Sequence, residues 1–119
     1  DIVKISRIKK SLKKEAFVKK LFNKEEILKC SKIKNSANCF AKRFAAKEAF
    51  SKALGTGISK GINFSEIVVS NQRNGKPIIK LVNGTKKKVD KKLNKRKFSI
   101  SISLADEDDY AVAFVTISK

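Results

Sequence analysis

Two hydrophobic periods alternate along the chain. From Ile5, apolar residues recur at Ile5, Ile8, Leu12 and Ala16 with lysines between and beyond them, which predicts one basic amphipathic helix. Before it, Asp1 to Val3 ("DIV") reads as the end of a strand, and because the chain opens without methionine the beginning of that strand is expected upstream. "FNKEEIL" places Asn23 as an N-cap and Glu25 and Glu26 in the first turn, where the helix dipole favours anions. A short second helix to about Cys30 follows from it. "SKIKNSAN" is a polar connection into the most regular stretch of the chain.

That stretch, "FAKRFAAKEAFSKALGTGI" from Phe40 to Ile58, predicts a helix closing at Gly55, with Thr56 and Gly57 free to make a tight turn. At about 100° per residue, Phe44, Glu48, Ala41, Lys52 and Ala45 share one sector, while Ala46, Ala49, Phe50, Ala53 and Leu54 line the rest. The helix is therefore apolar over most of its circumference and central to the fold. Downstream, "EIVVS" (Glu66 to Ser70) and "PIIKLV" (Pro77 to Val82) are strand-like and joined through a turn at Asn74-Gly75. "NGTKKKVDKKLNKRK" has no clear apolar period and reads as a lysine-rich loop. "FSISISL" alternates on a two-residue period, and "YAVAFVTI", apolar on both faces, predicts a central strand. The acids Asp106 to Asp109 between them read as a solubilising hairpin turn rather than a metal site. Segregated helices and hairpins predict an α+β domain over residues 1–119, an antiparallel sheet packed around the central helix.

Charge changes the picture of what such a domain meets. The 29 Lys and Arg against 11 Asp and Glu give a net +18, which points to an anionic partner. The chain has no His, so Ser-His and Cys-His catalysis and His-bearing zinc sites are excluded. Cys30 and Cys39, nine apart with no CxxC, argue against a disulfide framework. Reduced cytosolic thiols are expected, with Cys39 a small core hydrophobe. No apolar run approaches the ~20 residues that span a bilayer.

The charges on the central helix are the chemical signal. An exposed Glu48–Lys52 pair at i,i+4 would be worth only about 0.2 to 0.5 kcal/mol, and a solvated stripe would carry more polar neighbours than Ala41, Phe44 and Ala45. A carboxylate and an ammonium one turn apart suit a site where Mg²⁺ meets phosphate: the Glu binds the hard cation and the Lys neutralises phosphate oxygens. A small basic RNA-binding module and a noncatalytic adaptor for acidic proteins fit the net charge as well, but neither uses an enclosed carboxylate.

"RFAAKEAFSKALGTGI", with "DIV" upstream and "NGKP" and "SIS…DDYAVAFV" downstream, resembles the holo-acyl-carrier-protein synthases, the small trimeric branch of the 4′-phosphopantetheinyl transferases. The resemblance runs over nearly the whole chain in order. It implies that the protein moves the 4′-phosphopantetheine arm of coenzyme A to a serine of apo acyl carrier protein, in the cytoplasm and in support of fatty acid biosynthesis, with no nucleic-acid or membrane partner. It implies Mg²⁺ ligation by Asp1 and Glu48, and a catalytic role for Glu48 and for Lys52 beside the pyrophosphate; the proton acceptor stays open. Lys42 and Arg43 would bind coenzyme A phosphates. Asn74, Gly75, Lys76 and Pro77 would cradle the nucleotide from a neighbouring subunit of a homotrimer, on a surface that includes Ser103. Arg7, Lys10 and Lys14, with Lys9 and Lys13 nearby, would dock the acidic carrier protein. Where family members commonly show "SxSH", this chain has Ser101, Ile102, Ser103 and Leu104, so the histidine contact is replaced by packing.

Overall fold

Alanines at 41, 45 and 46 have no exposed surface on the long helix α4 (Ser36–Leu54), and they face Ala111 and Ala113 of the strand β5 (Tyr110–Ser118). Small side chains on both partners let helix and sheet approach closely, and this contact organises the molecule. The computed structural model describes residues 1–55, 61–94 and 97–118. In chain order they form β1 (Ile2–Lys4), α1 (Ile5–Ser11), α2 (Glu15–Leu21), α3 (Lys24–Ser31), α4, β2 (Ile67–Asn71), β3 (Pro77–Leu81), α5 (Asn83–Lys92), β4 (Ser99–Glu107) and β5. One antiparallel sheet has the order β1-β5-β4, so β5 is central as its two-sided apolar pattern predicts; β2 and β3 pair as a separate hairpin. Gly75 in its turn has φ 89°, and Gly55 ends α4 at φ 87°, both in the left-handed region that glycine adopts without strain. The expected turn at Thr56 and Gly57 lies outside the described residues.

Asn23 caps α3 as expected, in a full capping box: its side chain and the backbone at Glu26 pair in one direction, and Glu26 Oε1 accepts from Asn23 N at 2.9 Å in the other. Between β4 and β5, Asp108 (φ 51°) and Asp109 make a two-residue hairpin turn. Only Asp108 and Asp109 of the acidic run form the expected turn, since Asp106 and Glu107 are paired residues of β4, and the Asp109 carbonyl anchors α1 by accepting from Ile5 N at 2.7 Å.

Three expectations are corrected. The basic segment from Ile5 is two helices, because Lys14 leaves the helical region at ψ 112°. An unbroken helix would direct Ala16 inward; the break leaves Ala16 exposed and turns Phe17, Val18 and Leu21 onto the core around Phe22 and Phe40. Larger apolar side chains gain more from burial. The segment after Val82 is the helix α5, its buried stripe being Thr85, Val89 and Leu93 at four-residue spacing. That stripe opens with a threonine whose hydroxyl bonds Glu66 Oε1 at 2.8 Å, which is why hydrophobicity alone does not reveal it. Finally, Cys30 and Cys39 are joined in a disulfide, with Cα atoms 5.5 Å apart. Cys39 is buried, yet it is neither a reduced thiol nor a plain hydrophobe. The packing of α3 on α4 creates this proximity, and a nine-residue spacing carries no sign of it.

The same α3–α4 interface holds an ion pair with no water access: Lys47 and Glu26 are 0% and 1% exposed. Lys47 Nζ donates to Glu26 Oε1 (2.6 Å) and to the carbonyls of Phe64 (2.6 Å) and Ile67 (2.8 Å), and Glu26 Oε2 accepts from Val69 N (3.0 Å). Burial pushes the Lys47 amine down to about 8, against the opposing pull of Glu26. Removing one member leaves the other charged and unpaired. Glu26→Ala should therefore cost about 3 to 5 kcal/mol in urea unfolding, and a loss below 1 kcal/mol would refute that role. Cys30→Ser should cost about 2 to 3 kcal/mol, and the unreduced protein unfolded in denaturant should show no thiol by colorimetric titration.

Candidate functional site

Helix geometry divides the charges of α4 between two flanks. Arg43 and Lys47 stand one turn apart on the flank facing α3 and β2, and Glu48 and Lys52 stand one turn apart on another. Each flank opens on its own cavity, and the two share no lining residue.

The first cavity, of about 420 Å³, is lined by Asp1, Arg7, Phe17, Phe44, Glu48 and Lys52, among others. Asp1 immediately precedes β1: its carbonyl accepts from Ala113 N at 2.8 Å, so β5 fixes the backbone that carries the carboxylate. Lys52 Nζ donates to Asp1 Oδ1 at 2.7 Å, from a lysine side chain 64% exposed to a carboxylate 16% exposed. Glu48 is half-buried, and among the described residues nothing donates a hydrogen bond to its carboxylate. The structure thus brings Asp1, Glu48 and Lys52 to one wall, although Lys52 is more exposed than an apolar sector suggests. Arg7 of α1 borders the same cavity and Lys10 is exposed on the same helix. Lys14 sits in the link to α2 rather than on a continuous basic stripe.

The second cavity, of about 760 Å³, is cationic: Lys29, Lys42, Arg43 and Arg73 line it with Asn71 and Asp106. Asn71 is its focus. Its Oδ1 accepts from Lys29 Nζ (2.7 Å) and Arg43 Nη2 (3.1 Å), and its Nδ2 donates to the Gly75 carbonyl (2.9 Å). Arg43 is only 5% exposed, and burial lowers its pKa against the opposing charges of Glu26 and Glu25. Its Nε is buried without a partner, the one such side-chain atom among the described residues. Lys42 Nζ lies 3.1 Å from Asp106 Oδ1, and Asn38 Nδ2 donates to Asp106 Oδ2 at 2.8 Å. These two contacts hold the Asp106 carboxyl below the usual carboxylate range.

Gly75 and Pro77 line this cleft, whereas Asn74 turns its Oδ1 to Lys76 N (3.0 Å) and shapes the turn, with Lys76 exposed. Leu104 also lines it. Ser103, on the opposite face of β4, is exposed in register with Phe114 and does not reach the cleft within one chain.

Sequence reasoning missed Lys29, Asn71, Glu26 and Lys47. For Lys47 a signal existed, since on a helical wheel it falls between Phe40 and Leu54, inside the apolar sector. For Lys29 and Asn71 there was none, because their meeting depends on how α3 and β2 pack.

Among the described residues no three His, Cys, Asp or Glu side chains converge as a metal cluster. Two carboxylates in an open cavity still suit Mg²⁺, which is commonly held by one or two carboxylates, water and substrate phosphates.

Known proteins share this sequence pattern and fold. A family model described as the 4′-phosphopantetheinyl transferase superfamily matches residues 1–115. The holo-(acyl-carrier-protein) synthase of Pelagibacter ubique is 45% identical over 119 residues, spanning 100% of this chain and 93% of that protein. The crystal structure of the synthase from Neisseria meningitidis matches with a TM-score of 0.85 at 35% identity, over 100% of this chain and 94% of that one. The Helicobacter pylori synthase, in complex with coenzyme A, matches with a TM-score of 0.81 at 33% identity, over 99% and 96%. With a family match over nearly its whole length and the α+β architecture of those structures, the chain belongs to the 4′-phosphopantetheinyl transferase superfamily.

Proposed function

We propose that this chain transfers 4′-phosphopantetheine from coenzyme A to a serine hydroxyl of apo acyl carrier protein, giving holo carrier protein and adenosine 3′,5′-bisphosphate in support of fatty acid biosynthesis. The observation that carries this reading is the gathering of Asp1, Glu48 and Lys52 on one wall, separate from a cationic cleft of nucleotide-holding size. Attack of the serine oxygen on the β-phosphate develops charge on the pyrophosphate oxygens and on the leaving bisphosphate. Lowering the barrier is then chiefly a matter of placing positive charge.

Asp1 and Glu48 would hold Mg²⁺, which supplies charge neutralisation at the pyrophosphate when bound. Lys52, on an exposed flexible stem, exchanges Asp1 for a phosphate oxygen. Lys42 and Arg43, which line the cationic cleft, hold the phosphates of coenzyme A. Asn74 and Lys76 shape and flank the turn that presents Gly75 and Pro77 to the nucleotide. Arg7 and Lys10 on α1, with Lys14 beyond it, form the docking edge for the acidic carrier protein next to the catalytic wall.

The two cavities lie apart within one chain, and a homotrimer reconciles them. The outer face of the β1-β5-β4 sheet exposes Ile2 and Phe114, each 68% accessible, with Val112 between them in register. Covering this face with another copy would remove a large apolar patch from water and join one subunit's cationic cleft to the next subunit's Asp1–Glu48 wall. Ser103, on the same face, then lines the shared site. Use of coenzyme A as co-substrate supports a place in the cytoplasm. An RNA-binding module finds no support: the lysines of α5 have no aromatic residue among them for base stacking.

Incubation of the full-length protein with coenzyme A and apo carrier protein should add one phosphopantetheine mass to the carrier, and only with Mg²⁺ present. Glu48→Gln should slow this transfer by at least about a hundredfold with an unchanged circular dichroism spectrum; near-native turnover would make Glu48 merely structural. Phe114→Asp should sediment as a monomer and lose transfer with it, whereas a persisting trimer would discard this face as the interface.

A further inference from the structure

Three charged groups lie buried together at the α3–α4 interface: Glu26, Lys47 and Arg43. Lys47 directly precedes Glu48 in the chain and stands one turn after Arg43 on the same flank. Its ammonium spends all three protons on fixed acceptors, namely Glu26 Oε1 and the carbonyls of Phe64 and Ile67. Glu26 is fixed in turn by Asn23 N and Val69 N. An apolar side chain at position 47 could fill the same space but would leave the rotation of α4 to its alanine packing on β5 and to the Cys30–Cys39 link. Three directed hydrogen bonds narrow that rotation further, and a buried ion pair can supply this kind of specificity.

Rotation matters here because α4 serves both cavities. Turning it swings Glu48 away from Asp1 and draws Arg43 off Asn71 Oδ1 in the same movement. We propose that Glu26 and Lys47 are positioning residues for the transfer reaction, fixing the rotation of α4 so that Glu48 faces Asp1 while Arg43 faces the cationic cleft. The inference rests on the role given to Glu48 above. Metal ligation and in-line attack tolerate displacements of only tenths of an ångström, whereas attraction of phosphates to several cations varies gently with distance. The pair should therefore act on turnover more than on coenzyme A affinity.

The test is the double variant Glu26→Gln/Lys47→Met, which removes both charges and keeps both side-chain volumes. Turnover is normalised to the number of coenzyme A sites measured by isothermal titration calorimetry, so that an unfolded fraction does not count as lost catalysis. The expected result is a fall in kcat per binding site of about tenfold or more, with the Kd for coenzyme A within about threefold of the native value. Native kcat per site would overturn the proposal, and so would a fall matched by an equal loss of affinity. If the double variant does not fold, Lys47→Arg, which keeps the charge and alters the donor geometry, is read in the same way. Glu48→Gln assayed alongside separates the two readings. Activity surviving there discards the site, whereas activity surviving only in the pair variants discards the positioning role.

Discussion

A lysine with no exposed surface, giving its three protons to one carboxylate and two backbone carbonyls, ties together the elements on which this molecule depends. Glu26 reaches Lys47 from a helix whose N-terminus it also caps, and its second oxygen takes the Val69 N–H of β2. Through this pair α3, α4, the Phe64 turn and β2 acquire one relative arrangement. Desolvation makes such a pair costly, and each member is tolerable only because every donor and acceptor of it is matched. The disulfide between Cys30 and Cys39 crosses the same interface one turn further along α3. A directed electrostatic contact and a covalent link thus reinforce the same junction.

On the opposite side of α4 the constraint is steric. Ala41, Ala45 and Ala46 meet Ala111 and Ala113, and the close approach this allows sets β5, and with it the carbonyl of Asp1, near the start of the Asp1–Glu48 wall. Each flank of the helix therefore does two things at once, packing and presenting charge. Arg43 shows the tension in this. It is nearly as buried as a core residue, keeps its charge with the help of Glu26, and leaves its buried Nε without a partner.

Much of this was legible before any coordinates. The N-cap at Asn23, the stop at Gly55, the turn at Gly75 and the alternation of β4 all arise from interactions within a few residues, which sequence spacing reports directly. Glu48 and Lys52 stood out because an i,i+4 charged pair sat among alanines and phenylalanines. The failures have a common cause. The break at Lys14 is decided by which side chains the core accepts, and the stripe of α5 is hidden by a threonine whose polar partner, Glu66, comes from another element.

The sequence by itself determined the α+β class, most of the element boundaries, the central places of α4 and β5, and the standing of Glu48 and Lys52 one turn apart on α4, because these depend on local backbone preference and hydrophobic period. The tertiary structure decided which lysine is buried, that the two cysteines are bonded, that Lys29 and Arg43 meet on Asn71, and that the cationic cleft and the Asp1–Glu48 wall are separate within one chain. These are contacts between residues distant in sequence. Whether a charge is enclosed or solvated depends on what packs against it, and that is a property of the fold rather than of its neighbours along the chain.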